Sequence, residues 1–222
     1  TVTCDHPGRP ATLGSIGRPL PGVEVKIGEN NEILVKGDNV MPGYYKNAEA
    51  TAEAFTPDGW LRTGDAGYLK DGELYITDRI KDLFKTSNGK YIAPQAIEGK
   101  LTIDRNFDQV VVVADRRKFV SALIVPNYAV LEAWAKAEGL QHESREALCN
   151  DPRVVNHLAE RIETLQQDLA AYEKIKRFVL LSKPFTIESG ELTNTLKIKR
   201  RVVYERYAAL IEQMYAETPS KS

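Results

Sequence analysis

Two apolar runs near the middle of the chain, FDQVVVVAD (107–115) and FVSALIVP (119–126), constrain its fold more than any other feature. Side chains of a strand point alternately to opposite faces. Runs that stay apolar at consecutive positions therefore predict a sheet with at least one well covered face. Helix signals flank these runs in the sequence. Pro94 opens a helix, where its missing N–H costs nothing, and Asn127 can cap YAVLEAWAKAEGL. Asp151-Pro152 starts a helix expected to run to about Tyr172, with Val155, Leu158, Ile162, Leu165 and Leu169 at three and four spacing. RFVLLSKPF reads as a further strand, and a last helix is expected from about Lys199 to Ala216, before a polar tail, TPSKS. The order β, α, β, β, α, α, β, α predicts a compact α+β domain of about 140 residues.

The sequence before Arg79 has a different texture. VEVKI, GENN and EILVKG alternate apolar and polar residues around a Gly/Asn turn, the signal of a β-hairpin. Two short strands are expected within LRTGDAGYLKDGELYITD, joined at Asp71-Gly72, because Asp-Gly tolerates the positive φ angles of tight hairpin turns. Between the hairpins, Asn47 can cap a short helix, AEATAEAF, that Pro57 stops. Residues 1 to about 78 thus form a small, mostly β module, and the stretch after Arg79, rich in Ser, Asn and Gly, reads as a turn leading into the α+β domain.

Charge separates the possible partners. Lys and Arg total 30 against 31 Asp and Glu, a formal net charge of −1, which disfavours nucleic acid as a partner because that needs a basic excess. Between Lys174 and Arg206, however, nine basic residues face only Glu188, Glu191 and Glu205. That end is expected to attract anions. Cys4 and Cys149 are far apart and fit no disulfide framework, and His6, His142 and His157 make no metal-binding pair, so no metal ligands are assigned. A reducing cytoplasm fits this pattern. No apolar run approaches the ~20 residues needed to span a bilayer. The chain opens at Thr1 within a Pro/Gly-rich segment, which reads as a fragment of something longer.

Three elements can carry chemistry. In WLRTGD (60–65), Asp65 can accept backbone hydrogen bonds within its turn, or its two oxygens can take both hydroxyls of a ribose diol. Arg79, across the predicted hairpin, is either solvated or free to bind sugar or phosphate oxygens. In LTNTLKIKRR (192–201), Lys199, Arg200 and Arg201 read as a solvated basic helix start. Lys197 is held between Leu196 and Ile198 where the turn gives way to the helix, so its ammonium can meet a carboxylate and a phosphate becoming joined.

Together and in order, GSIGRPLPGVEVKI, EILVKGDNVMPGYYKNAEATAEAF, GWLRTGD, ITDRIKDLFKTSNGKYIAPQAIE and LTNTLKIKRR resemble the C-terminal motifs of the adenylate-forming superfamily. That superfamily includes acyl-CoA synthetases, firefly luciferase and peptide-synthetase adenylation domains. The helical insert before KRFVLLSKPF and the ending PFTIESGELTNTLKIKRR, in place of the commoner T-x-x-G-K, are similar to long-chain fatty acid CoA ligases.

The resemblance implies the end of a large N-terminal AMP-binding domain over residues 1–79, a hinge at 80–82 and a mobile C-terminal lid domain over 83–222. It implies that Asp65 binds the ribose, that Arg79 contacts the nucleotide and that Lys81 is the hinge residue. Ser87, Asn88 and Gly89 would line the CoA channel, and Lys197 would be the adenylation lysine, with Lys199 as its rival because Leu196 stands where the superfamily has glycine. The implied reaction joins a fatty acid, ATP and CoA, with Mg²⁺ held by residues upstream of this chain. The missing N-terminal domain would be this chain's partner and the fragment alone inactive. A fatty substrate is compatible with peripheral membrane contact. An adenylating ligase for another carboxylate and a non-catalytic α+β binding module are the alternatives.

Overall fold

The computed structural model describes residues 1–5, 8 and 10–216. His6 and the TPSKS tail lie outside them. The chain divides into two compact units, Thr1–Leu83 and Phe84–Ser222.

In the first unit a short antiparallel pair, β1 (Thr3–Cys4) and β2 (Arg18–Pro19), precedes a four-stranded antiparallel sheet. Its strands are β3 (Val23–Ile27), β4 (Glu32–Gly37), β5 (Leu61–Lys70) and β6 (Glu73–Arg79), each hydrogen-bonded to the next. Asp71 (φ 54°) and Gly72 (φ 79°) are both left-handed, as a two-residue hairpin turn that follows the twist of its strands requires. Helix α1 (Ala48–Ala54) begins where the Asn47 side chain accepts the Ala50 N–H and ends at Phe55, two residues before Pro57. Ile33, Val35 and Leu74 form a small core.

The second unit opens with β7 (Phe84–Lys85) and β8 (Tyr91–Ile92), a hairpin where the sequence read only a turn. Then come α2 (Pro94–Thr102), β9 (Phe107–Val113), β10 (Val120–Pro126), α3 (Tyr128–Ala137), α4 (Arg145–Asn150), α5 (Pro152–Leu165), β11 (Ile175–Leu180), α6 (Arg200–Arg206) and α7 (Ala208–Tyr215). Strand β10 is central, antiparallel to β9 and parallel to β11. Every residue of β10 is buried, so the apolar run is explained by cover on both of its faces.

Two helix expectations are corrected. Helix α5 stops at Leu165 instead of running to Tyr172, because Gln166 turns inward and its Oε1 accepts the Ile175 N–H at 2.8 Å. Leu169 still packs on the core, which is why its spacing resembled a continuing helix. The last helix is broken at Tyr207 (φ −103°, ψ 19°), whose hydroxyl donates to Glu191 at 3.2 Å and whose ring meets Phe185 edge-on. Helix α4, capped by Ser144, was not foreseen.

Candidate functional site

In the first unit, the Thr63-Gly64-Asp65 segment leaves the ladder between β4 and β5, where the register shifts. Its shape is set from beneath. Glu32, 9% exposed, accepts the Gly64 N–H at 3.2 Å and Arg62 at 3.1 Å, while the Thr63 hydroxyl donates to Ile33 O at 2.7 Å. The Thr63 Oγ1 also accepts the Asp65 N–H at 3.1 Å. Asp65 stands opposite Arg79 in the β5–β6 register, and the Arg79 Nε lies 3.4 Å from its carboxylate. Two residues that the sequence nominated separately therefore share one corner of the sheet. Asp78 fixes the Arg79 backbone by accepting its N–H at 2.8 Å. Lys81 is exposed in a short 3-10 turn, Ile80–Asp82, that leads out of the sheet.

The second unit carries two turns built on one plan. In Thr86 to Lys90, the Gly89 N–H donates to Thr86 O (2.9 Å), the Thr86 N–H to Lys90 O (2.9 Å), and the Lys90 N–H to the Thr86 hydroxyl (3.1 Å). In Thr193 to Lys197, Leu196 N–H donates to Thr193 O (2.9 Å), Thr193 N–H to Lys197 O (2.8 Å), and Lys197 N–H to the Thr193 hydroxyl (3.0 Å). The fourth residue of each is left-handed, Gly89 at φ 76° and Leu196 at φ 60°. This is the three-residue hairpin loop closed by a left-handed residue. Leu196 thus keeps a glycine's backbone conformation while presenting a side chain that is 68% exposed. Ser87, Asn88, Gly89 and Lys197 are all exposed.

Both feet of the Lys197 turn are pinned by carboxylates, one buried and one half-buried. On the incoming side, Glu191 is 1% exposed and its side chain accepts from Arg206 (2.8 Å), Ser189 (2.5 Å) and Tyr207 (3.2 Å). Its backbone carbonyl accepts the Lys199 N–H at 2.7 Å, and Leu192 bridges to Ile198. Burial alone would raise the Glu191 pKa, but the Ser189 hydroxyl and the Arg206 guanidinium hold it below the usual carboxylate range. On the outgoing side, Arg200 makes a two-pronged pair with Glu98, both contacts 2.6 Å, and Glu98 also accepts the Val112 N–H at 2.7 Å. Arg200 is therefore not the solvated residue its sequence context implied. Lys199 and Arg201 are exposed, as expected there.

The local basic excess is partly neutralised in the fold. Arg200 and Arg206 belong to these pairs, Lys174 pairs with Glu163, and Arg177 donates to the carbonyls of Met214 and Ala216. Glu32, Glu98 and Glu191 escaped the sequence reading because nothing local marks which carboxylates the fold will enclose and pair. The repeated Thr-x-x-x-Lys pattern at 86–90 and 193–197 was the available signal for the paired turns. Among the described residues, no group of three or more His, Cys, Asp or Glu side chains could hold a metal ion, and no helix is long and apolar enough to cross a membrane.

Comparison with known proteins places this geometry in a family. The chain is 38% identical over 210 residues to the long-chain-fatty-acid–CoA ligase FadD15 of Mycobacterium tuberculosis, a match covering 91% of this chain and 34% of that protein. It is 37% identical over 222 residues to the peroxisomal long chain acyl-CoA synthetase 7 of Arabidopsis thaliana, covering 92% of this chain and 32% of the relative. The chain thus spans about a third of the length of the curated relatives it matches. The A-PCP didomain of carboxylic acid reductase from Segniliparus rugosus, solved in complex with AMP, superposes with a TM-score of 0.58 at 29% identity, over 83% of this chain and 24% of that one. With residues 81–219 also matching the family model, the chain belongs to the AMP-binding enzyme C-terminal domain family.

Proposed function

We propose that this chain is the C-terminal portion of a long-chain fatty acid CoA ligase. The observation that carries the reading is the Lys197 turn, an exposed lysine on a backbone pinned at both feet, in a chain whose relatives at 34–38% identity include long-chain-fatty-acid–CoA ligases. The proposed reaction has two steps. The fatty carboxylate attacks the α-phosphorus of ATP, giving acyl-AMP and pyrophosphate. The CoA thiolate then attacks the acyl carbon, and AMP leaves.

Lys197 offsets the charge of the carboxylate and phosphate as they approach in the first step, where catalysis is mainly positioning and electrostatic stabilisation. Asp65 accepts the ribose hydroxyls, and Arg79, oriented by Asp65, contacts the nucleotide. Residues 1–79 complete a large AMP-binding domain contributed by the rest of the polypeptide, and Lys81 is the pivot between the units. The second step brings Ser87, Asn88 and Gly89 to the thiol channel; no Cβ at Gly89 would meet another atom within 4 Å. Among the described residues no group of three or more His, Cys, Asp or Glu side chains could hold a metal ion, so Mg²⁺ is assigned to residues elsewhere in the polypeptide and no step is derived through it.

The test is a half-reaction split in the full-length enzyme. Lys197→Ala should lower pyrophosphate release with fatty acid and ATP by about a hundredfold or more, the scale for losing one transition-state donor. It should leave thioester formation from supplied acyl-AMP largely intact. Equal loss in both steps removes Lys197 from this role, and a selective loss in Lys199→Ala instead shifts the assignment by two residues. Activity only with an aryl or amino acid would favour the alternative adenylating ligase; none with any carboxylate would leave a binding module.

A further inference from the structure

One buried side chain closes both ends of helix α6. The Glu191 carbonyl accepts the N–H of Lys199, the residue that starts the helix, at 2.7 Å. At the far end, Arg206 and Tyr207 turn back and donate to the Glu191 Oε1 at 2.8 and 3.2 Å. Its Oε2 accepts the Ser189 hydroxyl at 2.5 Å and the Thr186 N–H at 3.4 Å, and Arg206 also donates to Ser189 O at 2.7 Å. From this base a narrow hairpin rises through the Leu192–Ile198 bridge to Thr193, whose N–H donates to Lys197 O at 2.8 Å. Lys197 therefore stands two residue pairs above Glu191 on one ladder.

A buried ion pair is a costly way to hold a fold together. Withdrawing a carboxylate from water carries a large penalty, and apolar side chains of similar volume often stabilise a core as well or better. What the carboxylate adds at Glu191 is direction, because charge-assisted bonds fix its donors in place. The outgoing foot, held by Glu98 and Arg200, cannot be assigned to one turn. Glu98 lies in α2, just after the glycine turn (Thr86–Lys90), and Arg200 sits 5.4 Å from the centre of the Phe84 ring in β7. The side-chain partners of Glu191, by contrast, are Thr186, Ser189, Arg206 and Tyr207, all outside the β7–β8 hairpin. Its side-chain bonds thus act on the Lys197 hairpin and not on the glycine turn.

We infer that Glu191 is a positioning residue for Lys197: its buried side chain fixes the base of the hairpin, so that the ammonium above is delivered to the reacting carboxylate and phosphate in one orientation. The inference rests on the ligase reading above and adds to it a residue that touches no substrate. Lys197 is exposed and its four-carbon stem is flexible, so the backbone beneath supplies its orientation. Misplacing a group by about 1 Å can cost on the order of a hundredfold in rate. A fixed base thus bears on the rate of the first step, while nucleotide binding is assigned to Asp65 and Arg79 in the other unit.

The experiment measures both half-reactions in the full-length enzyme. Glu191→Ala should lower kcat for pyrophosphate release about tenfold or more and leave the KM for ATP within about twofold of wild type. Thioester formation from supplied acyl-AMP should also stay within about twofold. A variant that merely loosened the second unit would lose both steps together, since both turns belong to it. Glu191→Gln keeps Oε1 for Arg206 and Tyr207, and the Ser189 hydroxyl can turn to accept, so most of the rate should return. Should the alanine variant fold poorly, Ser189→Ala/Tyr207→Phe leaves the Arg206 pair in place and should show the same split at about threefold. In a Lys197→Ala background, Glu191→Ala should cause no further loss, because a residue acting through the lysine then has nothing to position. Unchanged pyrophosphate release, equal loss in both steps, or a full further loss in the Lys197→Ala background overturns the positioning role. Normal pyrophosphate release in Lys197→Ala alone overturns instead the role given to the lysine in the ligase reading, and this inference with it.

Discussion

Asp65 and Arg79 face each other across the β5–β6 pair, partners in register with the Arg79 Nε 3.4 Å from the Asp65 Oδ1. Fourteen residues apart in the chain, they are brought together by the two-residue turn at Asp71-Gly72. The pair is partly open to water, so it adds little to folding; exposed pairs contribute roughly 0.2–1 kcal/mol. Its value is orientation.

Asp65→Ala should therefore separate binding from stability. In the full-length enzyme, ATP affinity should fall by roughly ten- to a hundredfold, the loss of a charged acceptor for two hydroxyls. Thermal unfolding of this chain should shift by no more than a few degrees. Calorimetric titration with ATP beside a melting curve checks both. A nucleotide affinity that does not change would return Asp65 to the role of a turn residue.

Lys81 lies in a 3-10 segment, Ile80–Asp82, a conformation whose usual φ is close to the value that proline fixes. Lys81→Pro in the full-length enzyme should therefore keep pyrophosphate release within a few-fold of wild type, apart from the crowding proline imposes on Ile80. It should cut thioester formation by about tenfold or more if these torsions must change between steps. Normal thioester turnover would place the pivot elsewhere.

The paired turns allow backbone strain to be measured apart from packing. A Cβ at Gly89 would meet no atom within 4 Å, so Gly89→Ala should destabilise this chain by about 1 kcal/mol through the left-handed backbone alone. Leu196 already carries that cost. Leu196→Gly should be neutral or mildly stabilising, because relief of about 1–2 kcal/mol is partly offset by glycine's freedom in the unfolded chain. Leu196→Val should destabilise, since branching at Cβ worsens the same clash. Urea unfolding of the three variants checks the order; a destabilised Leu196→Gly would show that the leucine side chain, not its backbone, stabilises the turn.

Part of the acid sensitivity should arise at the start of α5. The Arg153 side chain and N–H, with His142 at 2.9 Å, hold the Asp151 carboxyl down at about 2, from an ordinary value of 3.8. A carboxylate whose folded pKa is lowered stabilises the fold at pH values above its unfolded pKa and loses that contribution as pH falls toward the folded one. The stability difference between wild type and Asp151→Asn should thus be constant above about pH 5 and shrink between about pH 4 and pH 2. A pH-independent difference, followed by chemical denaturation, would show that Asp151 acts as a cap without its charge.

Much of the fold was legible because its signals are local. The Asp71-Gly72 turn, the Asn47 and Asn127 caps and the buried runs of β9 and β10 depend on backbone preference and on side-chain periods of two or 3.6 residues. The nominated residues Asp65, Arg79, Lys81, Ser87, Asn88, Gly89 and Lys197 come from motif order, which the chain also carries on its surface. What the tertiary structure alone decided is where distant polar groups meet. Gln166 stops a helix because Ile175 needs a partner, and Arg200 leaves solvent because Glu98 lies 102 positions away in sequence. Arg116 and Arg117 join the glycine turn through backbone bonds between two separate hairpins. Charge and hydrogen-bond pairing act through space, over separations that neither period nor propensity encodes, so only the folded chain could place them.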